Sequence, residues 1–323
     1  MDETTVPVYL IAGFLESGKT TFLQFTLEQP YFAIEGKTLL VVCEEGEVEY
    51  DVASLARHNV VLEVIGSEEE FTSEKLFLLQ ERHRPERVVM EYNGMWLVSK
   101  LSQMDFPAEW EIDQHIVMVD ASTFQIYMQN MKSLFVDMIR DADMVVFNRA
   151  STEQPLANFR RSVVVVNPRA QIVFEDEEGE MEDIFTDSLP FDTEGLDIEI
   201  PLEDYGIWAV DAMDHPYTYQ GKRMHFQARL AHPPYAPDVY FQCGRPAMTC
   251  CSDDISMLGF VCFNRSSVID KQDYTNPKGI WCRISASVRV EKMMEYQGEE
   301  GIVLDILEAV PCEPPKDELV YFN

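Results

Sequence analysis

The chain has 323 residues, of which 46% are hydrophobic, which allows a large core and exceeds a typical single domain. Its formal net charge of −32 repels phosphate backbones and anionic lipid, which argues against general nucleic-acid binding and a membrane-surface role. No run of eighteen apolar residues occurs, and the acidic N-terminus lacks the regions of a secretory signal. We therefore expect a cytoplasmic protein of two domains without membrane insertion.

The first half of the chain alternates short apolar runs with amphipathic segments. Candidate strands are 6–12, 38–43, 60–65, 87–91, 115–120, 144–147 and 163–166. Candidate helices between them are 20–27, 73–83 and 123–140. Because these strands are continuously apolar and are separated by helices, they predict an α/β domain with a mostly parallel sheet covered on both faces.

A strongly acidic stretch follows this half. Residues 175–204 contain fourteen Asp or Glu and no Lys, Arg or His, so the start of the stretch is predicted to be a solvated loop. After Tyr205, five or so short apolar runs between Pro, Gly and Asn turns are typical of a small, partly open barrel of the OB type. We predict a nucleotide-binding domain at 1–190, an acidic linker at 191–205 and an OB-like β-barrel domain at 206–323.

The segment 13–20, GFLESGKT, fits the phosphate-binding pattern G-x-x-x-x-G-K-[ST] in full. An apolar strand enters it and a helix pattern leaves it, which is the context that this motif requires. The glycines let successive backbone N–H groups point at phosphates, and the helix adds its positive end. We expect Lys19 to reach the β- and γ-phosphates and Thr20 to place its hydroxyl on Mg²⁺.

This loop and later segments together resemble the CobW-like P-loop GTPases, a family linked to metal-cofactor assembly and metal homeostasis. The segment 41–51, VVCEEGEVEYD, resembles their switch pattern N-E-x-G-E-x-x-x-D at Glu44, Gly46, Glu47 and Asp51. The segment 88–95, VVMEYNGM, resembles their motif E-x-x-G at Glu91 and Gly94. Further segments follow in the family's order, so that the resemblance covers about residues 5 to 190.

The resemblance implies roles for these residues. Glu91 ends a strand beside the loop, where it can hold Mg²⁺, and the Gly94 N–H can sense a γ-phosphate. Glu44, Glu47 and Asp51 lie where a switch would close over Mg²⁺, although each acid alone also fits a solvated loop. The predicted catalytic residues are Lys19, Glu47, Asp51 and Glu91, with Thr20 and Glu91 as Mg²⁺ ligands. The predicted nucleotide-binding residues are Gly13, Glu16, Ser17, Gly18, Lys19, Thr20, Thr21, Gly94 and Asn148.

Three departures from the family pattern limit these implications. The guanine-reading motif N-K-x-D keeps Asn148, but Arg149 replaces its Lys and Ser151 its Asp, and a serine cannot accept from guanine N1 and N2 as a carboxylate does. The family's C-x-C-C metal motif has no counterpart, because residues 61–75 contain no cysteine. Glu16 stands in the loop where the family has a small residue, and we expect its carboxylate to turn outward.

The C-terminal part resembles an uncharacterised OB-like domain of bacterial permease-associated proteins. The resemblance is carried by a cysteine pair with acidic residues at 250–254, a W-x-x-[IV] strand at Trp281 and a P-x-x-x-x-[YV] ending. One hypothesis is a zinc site in which Cys250, Cys251 and Asp253 join His215, His225 or His232. The alternative is one cysteine in the core and one near the surface, since adjacent strand residues point to opposite faces.

These patterns predict Mg²⁺-dependent binding of GTP, with ATP left open, followed by slow hydrolysis. In that interpretation the protein delivers or regulates a metal ion, with zinc as one candidate. Its partner is a metal-acceptor protein or a permease-associated protein. The alternative is a nucleotide-binding regulatory or scaffold protein without turnover. The altered base motif and the missing C-x-C-C favour this alternative, whereas the intact Lys19, Thr20 and Glu91 favour the enzyme.

Overall fold

The structure is a computed structural model that describes residues 5–44, 46, 48–181, 189–248, 255–276, 278–296 and 298–320. Its described residues form two compact units, one that ends at residue 181 and one that begins at residue 189. Within these residues, the first unit holds an eight-stranded sheet and six α-helices, and the second holds a six-stranded sheet and two.

The first sheet has the order β3-β2-β4-β1-β5-β6-β7-β8. Its strands are β1 Val6–Ala12, β2 Thr38–Val42, β3 Val60–Val64, β4 Arg87–Glu91, β5 Trp110–Asp120, β6 Met144–Asn148, β7 Gln171–Asp176 and β8 Gly179–Glu180. Every neighbouring pair is parallel except β7 and β8. Every residue of β2 and of β4 is buried, so both faces of the sheet are covered, as the continuously apolar strands predict.

The helices of the first unit connect these strands. They are α1 Lys19–Glu28, α2 Val52–Arg57, α3 Ser73–His83, α4 Phe124–Asn130, α5 Lys132–Ile139 and α6 Leu156–Val164, with 3-10 turns at Pro30–Phe32, Glu68–Glu70 and Val98–Gln103. The helix predicted at 123–140 is two helices, because Met131 between them has φ −135° and ψ 31°.

The strand predicted at 163–166 is wrong, because residues up to Val164 complete α6. That helix buries Leu156, Phe159, Val163 and Val164, positions that recur on one helical face, and this packing overrides the strand preference of the valines. The place beside β6 is taken instead by β7, which the sequence analysis did not predict.

The carboxyl ends of the central parallel strands bring the motifs together. The phosphate-binding loop follows β1, Glu91 closes β4, Asp120 closes β5 and Asn148 closes β6. In open α/β sheets ligands bind in the crevice beyond these strand ends. The fold therefore collects the distant segments 13–21, 91–94 and 148–151 at one edge.

The second unit is built around a closed barrel. Its strands are β9 Asp197–Glu199, β10 Arg223–Ala231, β11 Tyr240–Met248, β12 Ile255–Phe263, β13 Ile280–Lys292 and β14 Glu300–Pro311. The order β11-β12-β14-β13-β10 closes because β10 also pairs with β11, and β12 and β14 are parallel. The five strands predicted after Tyr205 are therefore confirmed, and their barrel is closed rather than partly open.

A helical segment precedes this barrel, where only strands were predicted. It consists of α7 Tyr205–Asp214 and α8 Pro216–Tyr219. Two 3-10 turns, Lys271–Tyr274 and Met294–Tyr296, lie between later strands of the barrel. Trp208 of α7 is fully buried, and its ring centroid lies 4.9 Å from that of Phe226 and 5.1 Å from that of Phe260. The stretch 191–205, predicted as a linker, contains β9, which pairs with β10. None of the described helices has the length and apolar character needed to cross a membrane.

Candidate nucleotide-binding site

The phosphate-binding loop joins β1 to α1 and depends on two glycines. Gly13 has φ 141° and Gly18 has φ 98°, conformations that other residues rarely adopt. A Cβ atom on Gly13 would lie 2.2 Å from the carbonyl oxygen of Met118, and one on Gly18 would lie 2.4 Å from Nδ2 of Asn148. Both positions therefore require glycine, and the curled backbone suits a phosphate cradle.

Lys19 is the first residue of α1 and is almost fully buried. Its ammonium group donates to the carbonyl oxygens of Gly13 (2.8 Å) and Phe14 (3.0 Å) and to Oε2 of Glu44 (2.6 Å). A buried ammonium group needs an anionic partner, and here the Glu44 carboxylate supplies the charge that a phosphate oxygen would bring. A phosphate that reaches Lys19 therefore competes with Glu44.

Glu91 lies beside the loop and is 2% exposed. Its Oε1 atom accepts a hydrogen bond of 2.8 Å from the Thr20 hydroxyl, and its Oε2 atom accepts a short one from the Tyr50 hydroxyl. Burial raises the pKa of Glu91, while the hydrogen bonds from Tyr50 and Thr20 and the charge of Lys19 act against that rise. Burial and the neighbouring Glu91 also raise the pKa of Tyr50, so its hydroxyl stays protonated and donates.

These side chains fit Mg²⁺ with a phosphate chain. Thr20 and Glu91 offer a hydroxyl and a carboxylate, the hard oxygen ligands that Mg²⁺ prefers, and both line an open cavity of about 260 Å³. Sites for whole small ligands usually exceed about 300 Å³, so this cavity suits the phosphate part of a nucleotide. The buried Ser17 hydroxyl has no hydrogen-bond partner among the described residues.

The loop after β6 is tied to the phosphate-binding loop. Nδ2 of Asn148 donates to the carbonyl oxygen of Ser17 (3.3 Å), and Oδ1 of Asn148 accepts from the Arg149 N–H (2.8 Å). The Arg149 guanidinium donates to the carbonyl oxygen of Glu16 (3.0 Å) and forms a close ion pair with Asp120. Arg149 therefore braces the two loops against each other.

Ser151, at the Asp position of the guanine-reading motif, is used within its own turn. Its N–H donates to Oε1 of Gln154 (2.9 Å), and its hydroxyl oxygen accepts from the N–H of Glu153 (3.3 Å). Guanine reading at this position needs an acceptor that faces N1 and N2 of the base together. The turn presents no carboxylate at position 151 for that purpose.

Several predicted residues lie at this edge of the sheet. A Cβ atom on Gly94 would lie 2.3 Å from the carbonyl oxygen of Gly13, so the backbone of the E-x-x-G segment touches the loop. Thr21 and Glu16 are exposed residues that line the same cavity, and Glu16 adopts φ 64°.

Other predicted residues lie elsewhere. Oδ1 of Asp51 accepts from the N–H groups of Ala53 (2.9 Å) and Ser54 (3.1 Å), so Asp51 caps α2 and lines a neighbouring cavity. Glu47, Cys250, Cys251 and Asp253 lie outside the described residues. In the part of the chain that the structure describes, no three His, Cys, Asp or Glu side chains converge as a metal ion requires.

Three contacts escaped the sequence analysis. Tyr50 falls at an unspecified position of the switch pattern, and Asp120 lies in one of the later family segments, 117–122, without an assigned role. Glu44 was grouped with the switch acids, but its ion pair with Lys19 was not predicted. A signal existed for Tyr50 alone, since a lone aromatic residue in an acidic segment next to a helix start is unusual for a solvated loop.

A parallel sheet with a glycine-dependent loop, a buried Lys and Glu and a half-buried Thr at its carboxyl edge defines a P-loop nucleotide-binding domain. The family described as "CobW/HypB/UreG, nucleotide-binding domain" matches residues 7–174, more than half of the chain, and the chain belongs to this family. Residues 179–322 match the DUF1980 C-terminal domain. Both resemblances expected from the sequence are thus confirmed.

Three solved structures show some similarity to the chain. Hydrogenase maturation factor HypB from Archaeoglobus fulgidus is 20% identical, with 55% of this chain and 84% of that chain covered and a TM-score of 0.40. Zn(II)-bound YjiA GTPase from E. coli is 14% identical, with 74% and 86% covered and a TM-score of 0.42. HypB from Helicobacter pylori in complex with nickel is 13% identical, with 55% and 80% covered and a TM-score of 0.37. No curated protein matches the sequence significantly.

Proposed function

We propose that this protein binds a nucleoside triphosphate with Mg²⁺ and hydrolyses it slowly, with GTP as the substrate and ATP as the competing one. The proposal rests on one observation: Lys19, Thr20 and Glu91 lie together beside a loop in which two positions require glycine. Lys19 would hold the β- and γ-phosphates, and the loop N–H groups would hold the remaining phosphate oxygens. Mg²⁺, when bound, would neutralise charge on the phosphates.

The protein residues would divide the work as follows. Thr20 and Glu91 would hold the metal ion, and the Gly94 N–H would contact the γ-phosphate. Glu44 would leave Lys19 when the phosphates arrive. We assign the orientation of the attacking water to Glu44, once it is freed from that ion pair, and to Glu47, three residues further along the switch sequence. Asp51 is instead held as the cap of α2.

The family supports a role connected with metals, and we propose that nucleotide turnover serves metal homeostasis in the cytoplasm. The partner would be a metal-acceptor protein or a permease-associated protein. Zinc at Cys250 and Cys251 remains a prediction. Elemental analysis of the purified wild type and of Cys251→Ser tests it, and near-zero metal in both would remove that site.

A second candidate function is nucleotide binding without turnover, as a regulatory or scaffold protein. It is favoured by the turn at Ser151, which holds that hydroxyl within the loop, and by the Glu44 carboxylate that already neutralises Lys19. Under this alternative the bound nucleotide is a signal, and its identity at purification becomes the main observable.

Phosphate release separates the two candidates. Purified protein is incubated with GTP or ATP, with Mg²⁺ or with EDTA, beside Lys19→Ala and the control Lys37→Ala, whose ammonium group donates to the carbonyl oxygen of His83. We expect Mg²⁺-dependent release that Lys19→Ala abolishes and Lys37→Ala preserves, with thermal unfolding confirming that both variants fold. The enzyme hypothesis would be contradicted if phosphate release persisted in Lys19→Ala, or if the wild type released no phosphate from either nucleotide.

A further inference from the structure

Tyr50 makes a contact that no motif assigns. Its hydroxyl donates to Oε2 of Glu91, while the Thr20 hydroxyl donates to Oε1 of the same carboxylate. Glu91 is thereby held from two sides, by α1, which follows the phosphate-binding loop, and by the segment that follows β2. A carboxylate has about four lone-pair sites, so two donors leave room for a cation or its water.

The backbone around Tyr50 is anchored on both sides. The carbonyl oxygen of Glu49 accepts from Nε2 of Gln24 on α1 (2.8 Å), and Asp51 caps α2 with two hydrogen bonds. These contacts limit where the Tyr50 ring can go, because the residues before and after it are tied to two different helices. The contact with Glu91 is therefore set by the fold and is not an incidental touch of a surface side chain.

We propose that Tyr50 is a positioning residue for the metal-binding carboxylate of Glu91, and that it sets how readily Mg²⁺ joins the bound nucleotide. The inference rests on the proposed function, because it assumes that Glu91 holds Mg²⁺ for a nucleotide. Groups that orient a metal-binding side chain through hydrogen bonds commonly contribute about 10- to 100-fold to metal affinity. Tyr50 would do so from the segment that also carries Glu44, and would link that segment to the metal.

The test separates Mg²⁺ affinity from nucleotide affinity. A fluorescent GTP analogue with a methylanthraniloyl group is titrated first in EDTA and then at fixed concentration against Mg²⁺, with wild type and Tyr50→Phe. We expect both proteins to bind the GTP analogue with equal affinity in EDTA. The Mg²⁺ concentration that gives half of the fluorescence change should be about 10-fold higher for Tyr50→Phe. The control is Tyr9→Phe, which removes a tyrosine hydroxyl paired with another carboxylate, that of Asp113, and should match the wild type.

A double-mutant cycle with Glu91→Gln tests the contact itself. Once Glu91 is replaced, Tyr50→Phe should cause no further change in the Mg²⁺ dependence. Equal Mg²⁺ dependence in Tyr50→Phe and wild type would overturn the inference. It would also be overturned if Tyr50→Phe lost as much nucleotide affinity in EDTA as with Mg²⁺, because such a loss indicates a structural role. Absence of binding by the wild type would instead overturn the proposed function, and with it the inference.

Discussion

The proposed phosphate half and the proposed base half of the nucleotide site are built from different kinds of contact. On the phosphate side, Lys19 and Glu91 are buried, and each is held by at least two hydrogen bonds. On the base side, Arg149 and Ser151 lie in a turn, and half of the Arg149 side chain is exposed.

The difference shows where substitution is tolerated. A buried ion needs its partners, and a loop that leaves no space for a Cβ atom accepts glycine alone, so the phosphate half admits few alternatives. In a turn whose N–H groups donate to side-chain oxygens of the same turn, Ser can replace Asp without leaving a buried polar group unpaired. Base choice can therefore drift in this chain while phosphate binding is retained.

The strongest test of the phosphate half is Gly13→Ala. The added Cβ would lie 2.2 Å from a backbone oxygen at φ 141°, and such strain costs about 1–3 kcal/mol even before the clash is counted. We expect affinity for GTP, measured by calorimetry, to fall about 100-fold or more, since each 1.4 kcal/mol is about tenfold.

The control for this glycine is Gly66→Ala. Gly66 is exposed and has no atom within 4 Å of an added Cβ, so the same change there should leave binding intact. Similar losses of GTP affinity in both variants would contradict the inference that the loop requires glycine at position 13.

The base half is sharpened by Ser151→Asp. A carboxylate at this position could accept from guanine N1 and N2, and hydrogen bonds to charged groups contribute about 1.5–3 kcal/mol. We expect the preference for GTP over ATP, taken as the ratio of their dissociation constants, to rise by about 10- to 100-fold. The control Thr152→Asp adds the same charge one residue away, and an equal rise there would point to general charge effects instead of base reading.

Stability offers a smaller readout of the phosphate half. Burial raises the pKa of Glu91, so the folded state disfavours its charge at neutral pH, and Glu91→Gln removes that charge. We expect the nucleotide-free variant to be more stable by about 1 kcal/mol, the size of gain that single stabilising substitutions commonly give. Its melting temperature should rise by about 2–4 °C.

Glu63→Gln is the matched control for this stability effect. Burial acts to raise the pKa of Glu63, but hydrogen bonds from His83 and Arg82 outweigh it and lower the pKa, so the folded state favours this charge. The control should therefore lose stability at neutral pH. A decrease in both variants would mean that the Glu91 charge stabilises the empty site.

The sequence predicted those parts of the fold that depend on local patterns. Strands β1 and β4 and helix α3 lie at the predicted bounds, because a buried parallel strand or a capped amphipathic helix leaves its mark within a few residues. The four-residue run 163–166 misled because its β-branched residues are ambiguous, and only tertiary packing decides that they complete α6.

The arrangement of the candidate site was predictable to the same extent as the fold. The loop motif names Lys19 and Thr20 because the chemistry requires them in fixed spacing, and Glu91 follows from a family motif. Tyr50, Asp120 and the Lys19–Glu44 ion pair depend on contacts between residues 25 or more positions apart. The local sequence can mark a residue such as Tyr50 as unusual, but it does not encode the partner of any of these residues. The pairs form only when the sheet brings the strand ends together.

The least direct test is the pH dependence of the fold on which both halves depend. Burial lowers the pKa of His115 on β5, against the opposing influence of Asp141, Asp143 and Asp137, and its Nε2 atom is buried without a hydrogen-bond partner in the described residues. The unfolded chain therefore binds a proton near pH 6.5 that the folded chain binds only at lower pH. The free energy of unfolding should consequently fall as the pH drops below about 6.5, by at most about 1.4 kcal/mol per pH unit for this group.

Urea unfolding at several pH values between 5 and 8 measures this slope. His115→Gln should flatten it, whereas His58→Gln, which replaces an exposed histidine, should not. Parallel slopes in all three proteins would exclude His115 as the titrating group. If His115 is that group, the phosphate and base halves are best compared above pH 7, where changes in binding reflect the site and not partial protonation of the core beneath it.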